Sequence, residues 1–334
     1  MNRKPIIGYK HILILLLLLL LALIIVNILF GVVAISPIDL LGLPRNHENA
    51  LIKQLVLYVR LPRTLACIFS GIAFSCAGLV LQIIMDNPLA SPGVIGVNSG
   101  AGLFVVFTAL LLPGNIFARS LGAFIGAFLT IMLVYMLACI GGASRHTIVL
   151  SGVALSSLFS SFIEVISNMR TTILVDKASF AIGGFASISM ESIRMSIPLI
   201  IAAMVFLVLS SGSLDMYRLG DDVSRSLGMN TSMWKFIWFV LIAVLSSSAV
   251  AMSGLLGFLG LIVPHLVRAL TKREKSRELL VLTALAGADL TLLCDFLARM
   301  LFKPYEIPVG IIMSVLGVPF FLVLLLRKGR EKKC

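Results

Sequence analysis

Ile12 to Ala34 reads ILILLLLLLLALIIVNILFGVVA, without a single charge. A helix rises 1.5 Å per residue, so about 20 apolar residues cross a hydrocarbon core of about 30 Å. Arg3, Lys4 and Lys10 precede the run. A basic flank before an apolar stretch also describes a signal peptide, and Val32 and Ala34 stand where its cleavage site would lie. The run exceeds the ~7–15 residues of a signal core, however. It reads as a retained first span whose basic end lies inside.

The rest of the chain agrees. Of 334 residues, 59% are hydrophobic and 13% are charged, about half the ~25% of a soluble domain. Mean hydropathy is +1.09. That composition excludes a soluble globule, a disulfide scaffold, a disordered chain and a coiled coil. Long apolar runs in place of period-two alternation argue against an outer-membrane barrel. Nine more spans are predicted at 63–84, 97–112, 117–140, 148–168, 195–211, 235–253, 256–270, 279–301 and 309–326. The segment 256–270 is too short to cross as a straight helix. Gly257, Gly260 and Pro264 interrupt it, so it reads as a half-helix packed inside protein or a re-entrant turn. Pro88 and Pro92 break the chain after the second span. The fold class is an all-α polytopic membrane protein with about ten transmembrane helices. Ten spans divide into two sets of five of opposite orientation, an arrangement common among transporters. The whole chain, 1–334, is one transmembrane domain with cytoplasmic tails at 1–11 and 327–334 and a cytoplasmic loop at 214–232.

The formal net charge is +12. No basic stretch carries the aromatic interleaving of a nucleic-acid site, so no nucleic-acid partner is expected. The charge reads as topology. With the N-terminus inside, cytoplasmic segments hold Arg145, Arg218, Arg225, Lys235, Arg268, Lys272, Arg273, Lys275, Arg277 and the basic tail from Arg327. Both termini are then cytoplasmic. Arg60, Arg63 and Arg299 violate the bias by falling on the outer side, where they could serve as snorkelling anchors.

Catalytic signatures are missing. No GxxxxGK[ST], HExxH or GxSxG occurs, so no nucleotide is hydrolysed through a P-loop and no zinc or serine hydrolase centre is marked. The histidines are scattered, the cysteines include no CxxC, and no metal site is expected. Asp289, Asp295 and Arg299 share the ninth span. Asp295 and Arg299 are four apart and can pair on one face. A proton relay is the functional alternative, because intramembrane charge is costly. Glu164 belongs at the outer end of the fifth span. Gly96/Gly100 and Gly122/Gly126 have GxxxG spacing, and Gly71/Gly78 share a face. They read as close helix contacts within the bundle. Asn230-Thr231-Ser232 fits a glycosylation acceptor but falls on the cytoplasmic side.

The loop after the sixth span is unusual. Arg218-Leu-Gly-Asp-Asp-Val-Ser-Arg-Ser-Leu-Gly-Met229 is polar and helix-competent, with Asp221 and Asp222 in a first turn and Gly228 at its end. A short helix outside the membrane needs a surface to pack on, either lipid or a soluble partner.

Three stretches together resemble one family. Arg60-Leu-Pro-Arg63-Thr-Leu, then Gly71, Gly78 and Gln82, then Asn87-Pro88-Leu-Ala-Ser-Pro92 and Gly96-Val-Asn-Ser-Gly-Ala101 form the first. Gly257-Phe-Leu-Gly260-Leu-Ile-Val-Pro264-His265-Leu-Val-Arg268 is the second. The third joins Asp289, Asp295, Arg299, Glu306-Ile-Pro308-Val-Gly310 and Gly317-Val-Pro319. From about residue 55 to 326 the chain is similar to the FecCD-type (BtuC-like) permeases of ABC importers for iron–siderophores, haem and cobalamin. Asp86, before the Asn-Pro-Leu-Ala stretch, occupies a variable position, and 35–55 matches nothing distinctive.

The resemblance implies a type II ABC importer permease fold in a bacterial cytoplasmic membrane. It implies a homodimer, or a close heterodimer, around a central path. Two cytoplasmic ABC ATPase subunits would bind ATP and Mg, an extracytoplasmic binding protein would deliver cargo, and this chain would hold no cofactor of its own. Asp221, Asp222, Arg225, Leu227, Gly228 and Met229 match the coupling helix that engages the ATPase. Arg60, Arg63 and Arg299 match arginines that receive glutamates of the binding protein. Gln82, Asn87, Ser157, Ser161 and Asn168 are expected along the path. Pro88, Gly96, Gly257, Gly260, Pro264, His265, Arg268, Asp295, Pro308 and Gly310 are expected to hold the fold. The competing expectations are a proton-coupled carrier using Asp289 or Asp295 and an intramembrane enzyme. The cargo within the iron-complex, haem and cobalamin class is not readable from these residues.

Overall fold

A computed structural model describes residues 8–31, 35, 48–141, 145–169, 171–186, 188–271 and 275–331. The basic residues Arg3, Lys4, Lys272 and Arg273, the proposed cleavage site, most of 35–47 and the extreme tails lie outside them.

The described chain is helical. The helices are α1 (Tyr9–Leu29), α2 (Glu48–Leu55), α3 (Leu61–Ile84), α4 (Val97–Leu111), α5 (Ile116–Ile140), α6 (Arg145–Ser167) and α7 (Thr171–Ile182). They continue with α8 (Met190–Leu209), α9 (Ser211–Tyr217), α10 (Asp221–Ser226), α11 (Thr231–Ser253), α12 (Leu259–Thr271), α13 (Ser276–Met300) and α14 (Val309–Glu331). A π-helical turn, Val56–Arg60, joins α2 to α3, and a 3-10 turn, Pro92–Ile95, precedes α4. Among the described residues, seven helical stretches are long and apolar enough to cross a membrane, and Val97–Leu111, Leu259–Thr271 and Val309–Val323 are shorter apolar helices. Together they account for the ten expected spans. The second runs unbroken from Leu51 to Ile84, beginning a dozen residues earlier than its hydropathy alone marks. The helix α7 is an addition, because twelve residues interrupted by Asp176 and Lys177 carry no span signal.

Local chemistry sets the helix ends. Asn115, Ser189 and Asn230 accept from the backbone N–H groups of Ala118, Ser192 and Met233 at 2.9, 3.1 and 3.1 Å. Each satisfies a first-turn donor that has no partner within its own helix. Asn230 is thereby a helix cap. Gly96 joins the 3-10 turn to α4 at φ +89° and Gly254 ends α11 at φ +66°, a region that side chains with a Cβ seldom enter.

The helix α3 lies at the centre and is buried nearly all round, flanked by α13, α11 and α12. Small residues allow this. A Cβ on Gly71 would collide with the backbone of Gly287 on α13, and one on Gly78 with Gly260 on α12. Gly100 and Gly126 bring α4 and α5 together in the same way. Without water to drive helices together, such contact depends on backbone approach. By contrast, α1 and α6 are buried along only a narrow strip. The expected half-helix is α12. Its first turns, Leu259 to Pro264, are buried, and N–H groups in them bond the carbonyls of Gly257 and Phe258, so the irregular entry to the helix sits satisfied within protein.

Candidate functional site: two ends and a lining helix

At one end of the bundle the polar loop folds as expected. Asp221 and Asp222 open α10, Gly220 precedes them at φ +108°, and Gly228 follows at φ +86°. Asp221 Oδ2 accepts from Lys235 of α11 at 2.9 Å and from Arg225 at 3.3 Å. Burial alone would raise this carboxyl, but the bonds from Lys235 and Thr231 and the two cations hold it below the ordinary carboxylate value. Ser224, fully buried, donates to Met216 O and Gly220 O at 2.8 and 2.7 Å. Met229 is buried as well, and so serves as an anchor. Leu219, Val223 and Leu227 point the other way, with Leu227 58% exposed. The result is a tethered helix presenting an apolar ridge. Behind it, Trp238 meets Tyr217 edge-on at 5.2 Å and Trp234 at a tilt at 5.7 Å between ring centres.

At the opposite end the three arginines converge. Arg63 of α3 meets Asp295 Oδ1 of α13 through both Nε and Nη2 at 3.0 Å, and Glu306 through Nη1 at 2.7 Å. Arg299 Nε lies 3.0 Å from Asp295 Oδ2, and its Nη2 donates to Asn27 Oδ1. Arg60 donates to Ile28 O and Leu29 O at 2.6 and 3.0 Å. All three arginines are buried. The expectation that they stand outward to receive a partner's carboxylates is therefore corrected. Asp295 and Glu306 already occupy that role for Arg63 and Asp295 for Arg299, while Arg60 donates to backbone carbonyls; a desolvated guanidinium without such partners would be severely penalised. Asp295 and Arg299 do pair, as their spacing implies. Glu306, side chain about one-third exposed, is the edge of the cluster that water reaches.

Beside this cluster α7 is pinned from two sides. Arg119 of α5 pairs with Asp176, and Glu164 of α6 with Lys177. At its C-terminus the backbone of Phe180 accepts from Leu255 at 3.1 Å, and Gly184 N–H donates to Ser253 O at 2.8 Å. Gly310 N–H reaches Gly183 O at 3.3 Å, and a Cβ on Gly310 would strike Ile182 O. A cavity of about 200 Å³ separates α7 from Arg63 and Glu306.

A second cavity, of about 310 Å³, lies where the two irregular segments meet, between Ser91, Asn98, Gly257, Phe258 and Phe321. Gly257 faces open space here, since a Cβ would touch nothing within 4 Å. Phe258 sits at φ +66°, a costly conformation for a bulky residue. The adjoining 3-10 turn packs on α6, where Ile95 abuts Gly152, and Ser99 bonds Ser156 at 2.9 Å. On α6, Ser157, Ser161 and Glu164 fall on one exposed stripe, continued by Asn168 just past its end. Asn87 is exposed too, and its Oδ1 accepts from Leu89 N–H at 3.0 Å. Gln82 is instead buried, donating to Gly260 O at 3.1 Å. It joins two helices and does not line an open surface. Asp289 is buried, and among the described residues neither of its carboxylate oxygens has a hydrogen-bond partner. Of the remaining residues expected to hold the fold, Pro264 is buried, His265 meets Phe320 edge-on at 5.8 Å, and Arg268 is partly buried. Pro88 is partly buried and Pro308 is exposed.

Residues 18–327 match the FecCD transport family. The chain belongs to that family. It is 36% identical over 307 residues to the Fe(3+)-citrate import system permease protein YfmD of Bacillus subtilis (strain 168), covering 92% of this chain and 91% of that protein. It is 34% identical over 282 residues to the hemin transport system permease protein HmuU of Yersinia pestis, covering 83% and 84%. A solved structure described as an inward-facing conformation of a metal-chelate type ABC transporter superposes with a TM-score of 0.84 at 29% identity. It covers 95% of this chain and 99% of that one. As a FecCD member the chain is the membrane-embedded permease component of an ABC transporter. Its several apolar spans fit a multi-pass protein of the bacterial inner membrane.

Proposed function

We propose that this chain carries a metal chelate, namely a ferric siderophore or citrate complex, haem or cobalamin, across the cytoplasmic membrane. ATP hydrolysis in two partner subunits supplies the energy. A second permease copy completes a central path, an extracytoplasmic binding protein delivers the cargo, and both termini are cytoplasmic. No resident cofactor is required. Lipid surrounds the remaining apolar surface.

The observation that supports this best is α10. It is a six-residue helix held by Lys235 and Ser224, with Met229 buried just past it, yet Val223 on it and Leu219 and Leu227 flanking it are exposed. An apolar ridge on a short, fixed helix outside the spans is suited to a cleft in a soluble partner. The chain carries no P-loop, in keeping with nucleotide chemistry in that partner. At the other end, the binding protein docks on the surface framed by Glu306 and α7. Arg60, Arg63 and Arg299 stiffen that platform from beneath. The stripe Ser157–Ser161–Asn168, along α6 and just past its end, gives the path a polar, weakly binding wall.

The test is association. Leu227→Asp together with Val223→Asp is expected to abolish capture of the cognate ATPase by the detergent-solubilised permease while leaving the permease monodisperse. Undiminished capture would refute the assignment of α10.

A further inference from the structure

We infer that Asp215 is the positioning residue that carries movement of α10 into α13, and through α13 to the opposite end of the molecule. The inference rests on the reading of α10 as the ATPase contact and adds where the motion goes next.

Asp215 lies on α9, immediately before α10. Its Oδ1 accepts from the backbone N–H of Ser276 at 2.7 Å, across 61 residues of sequence. Ser276 is the first residue of α13 and is fully buried. The residue before it, Lys275, provides no side-chain cap. The helix therefore takes its cap from another segment. A carboxylate suits that place, since it meets an unpaired N–H and the positive end of the helix dipole together. The link back to α10 is equally short, because Ser224 of α10 bonds Met216 O, next to Asp215. A continuous hydrogen-bonded route thus runs from α10 through α9 to the start of α13.

The far end of α13 holds Asp295, which binds Arg63 and Arg299. Nineteen residues of helix separate Ser276 from Asp295, about 28 Å at the rise of an α-helix. Gly287 packs against Gly71 between them. A helix gripped at both ends and seated on α3 moves as a rod. Displacing its capped end displaces the ion-pair cluster beside Glu306 and α7.

The complete permease–ATPase assembly in nanodiscs provides the test. Spin labels on Lys303→Cys of the two permease copies, in a Cys139→Ser/Cys334→Ser background that leaves only buried cysteines, report the distance between their far ends with and without ATP, Mg and vanadate. Three further changes are compared. Asp215→Ala removes the cap, and Asp215→Asn keeps an acceptor oxygen. Ser276→Pro removes the donor; proline suits a first helical position, and Lys275 before it is extended at ψ 121°. We expect Asp215→Ala and Ser276→Pro to hydrolyse ATP near the wild-type rate while losing most of the nucleotide-dependent distance change, and Asp215→Asn to restore it. A full distance change in both Asp215→Ala and Ser276→Pro would overturn the inference. So would joint loss of hydrolysis and assembly in both, which would make the bond merely structural. If the unsubstituted permease bound no ATPase, the reading of α10 itself would fall.

Discussion

Arg63 and Asp295 meet at 3.0 Å, 232 residues apart in sequence, with their side chains 9% and 1% exposed. Their pairing locks α3 to α13 at the end opposite α10. Arg299 shares the same carboxylate.

Removing Asp295 leaves the desolvated Arg299 without a carboxylate and Arg63 with Glu306 alone. Asp295→Ala is expected to cost about 3–5 kcal/mol, the range for breaking a buried pair from one side. Thermal unfolding in detergent reads this as a markedly lower midpoint. A midpoint equal to wild type would mean that the cluster does not hold the helices together.

The glycine contacts predict a contrast. Gly71→Ala and Gly78→Ala must push backbone away from backbone, and each is expected to destabilise by about 1–3 kcal/mol. Gly212, on α9, has open space at its Cβ position. Gly212→Ala should be neutral or stabilise by up to about 1 kcal/mol, through helix propensity. Unfolding curves of the three variants decide it; equal losses at all three sites would contradict close packing as the cause.

Asp221 predicts a pH dependence. Its folded carboxyl ionises more readily than an unfolded one, so its ion pairs contribute fully above the ordinary value near ~3.9 and are lost as pH falls through the lower folded value. The difference in melting temperature between wild type and Asp221→Asn should be constant from neutral pH to about 5 and close only below ~4. A gap that closes between pH 7 and 6 would show that another group governs the tether.

On α6, Ser157→Trp and Ser161→Trp place bulk on the exposed stripe. Uptake by the complete transporter should fall sharply, with assembly and basal ATP hydrolysis retained. Normal uptake would remove α6 from the path.

Much of this is legible in the sequence. Apolar runs mark the ten spans because hydrocarbon demands length and composition, and glycine and proline spacing marks the half-helix α12. The pairing of Asp295 with Arg299 follows from a four-residue spacing. The burial of Arg63 does not, because nothing near it in sequence is its partner, and a basic residue on the outer side reads equally as a surface group. The helix α7 was hidden by the charges at Asp176 and Lys177, which look like loop polarity until Arg119 and Glu164 are seen to neutralise them. Gln82 is expected on the path only alongside the family resemblance, and nothing near it in sequence gives its partner. Its actual partner is a backbone carbonyl exposed where Gly260 lets two helices touch.

The central claim is that energy enters from ATP through a partner bound at α10. Proteoliposomes holding the permease and its ATPase, with ATP and Mg in the lumen and the loaded binding protein outside, test it directly. Uptake should require luminal ATP and the ATPase, and should persist when the proton gradient is collapsed. Uptake by the permease alone, driven by a proton gradient without ATP, would contradict the account.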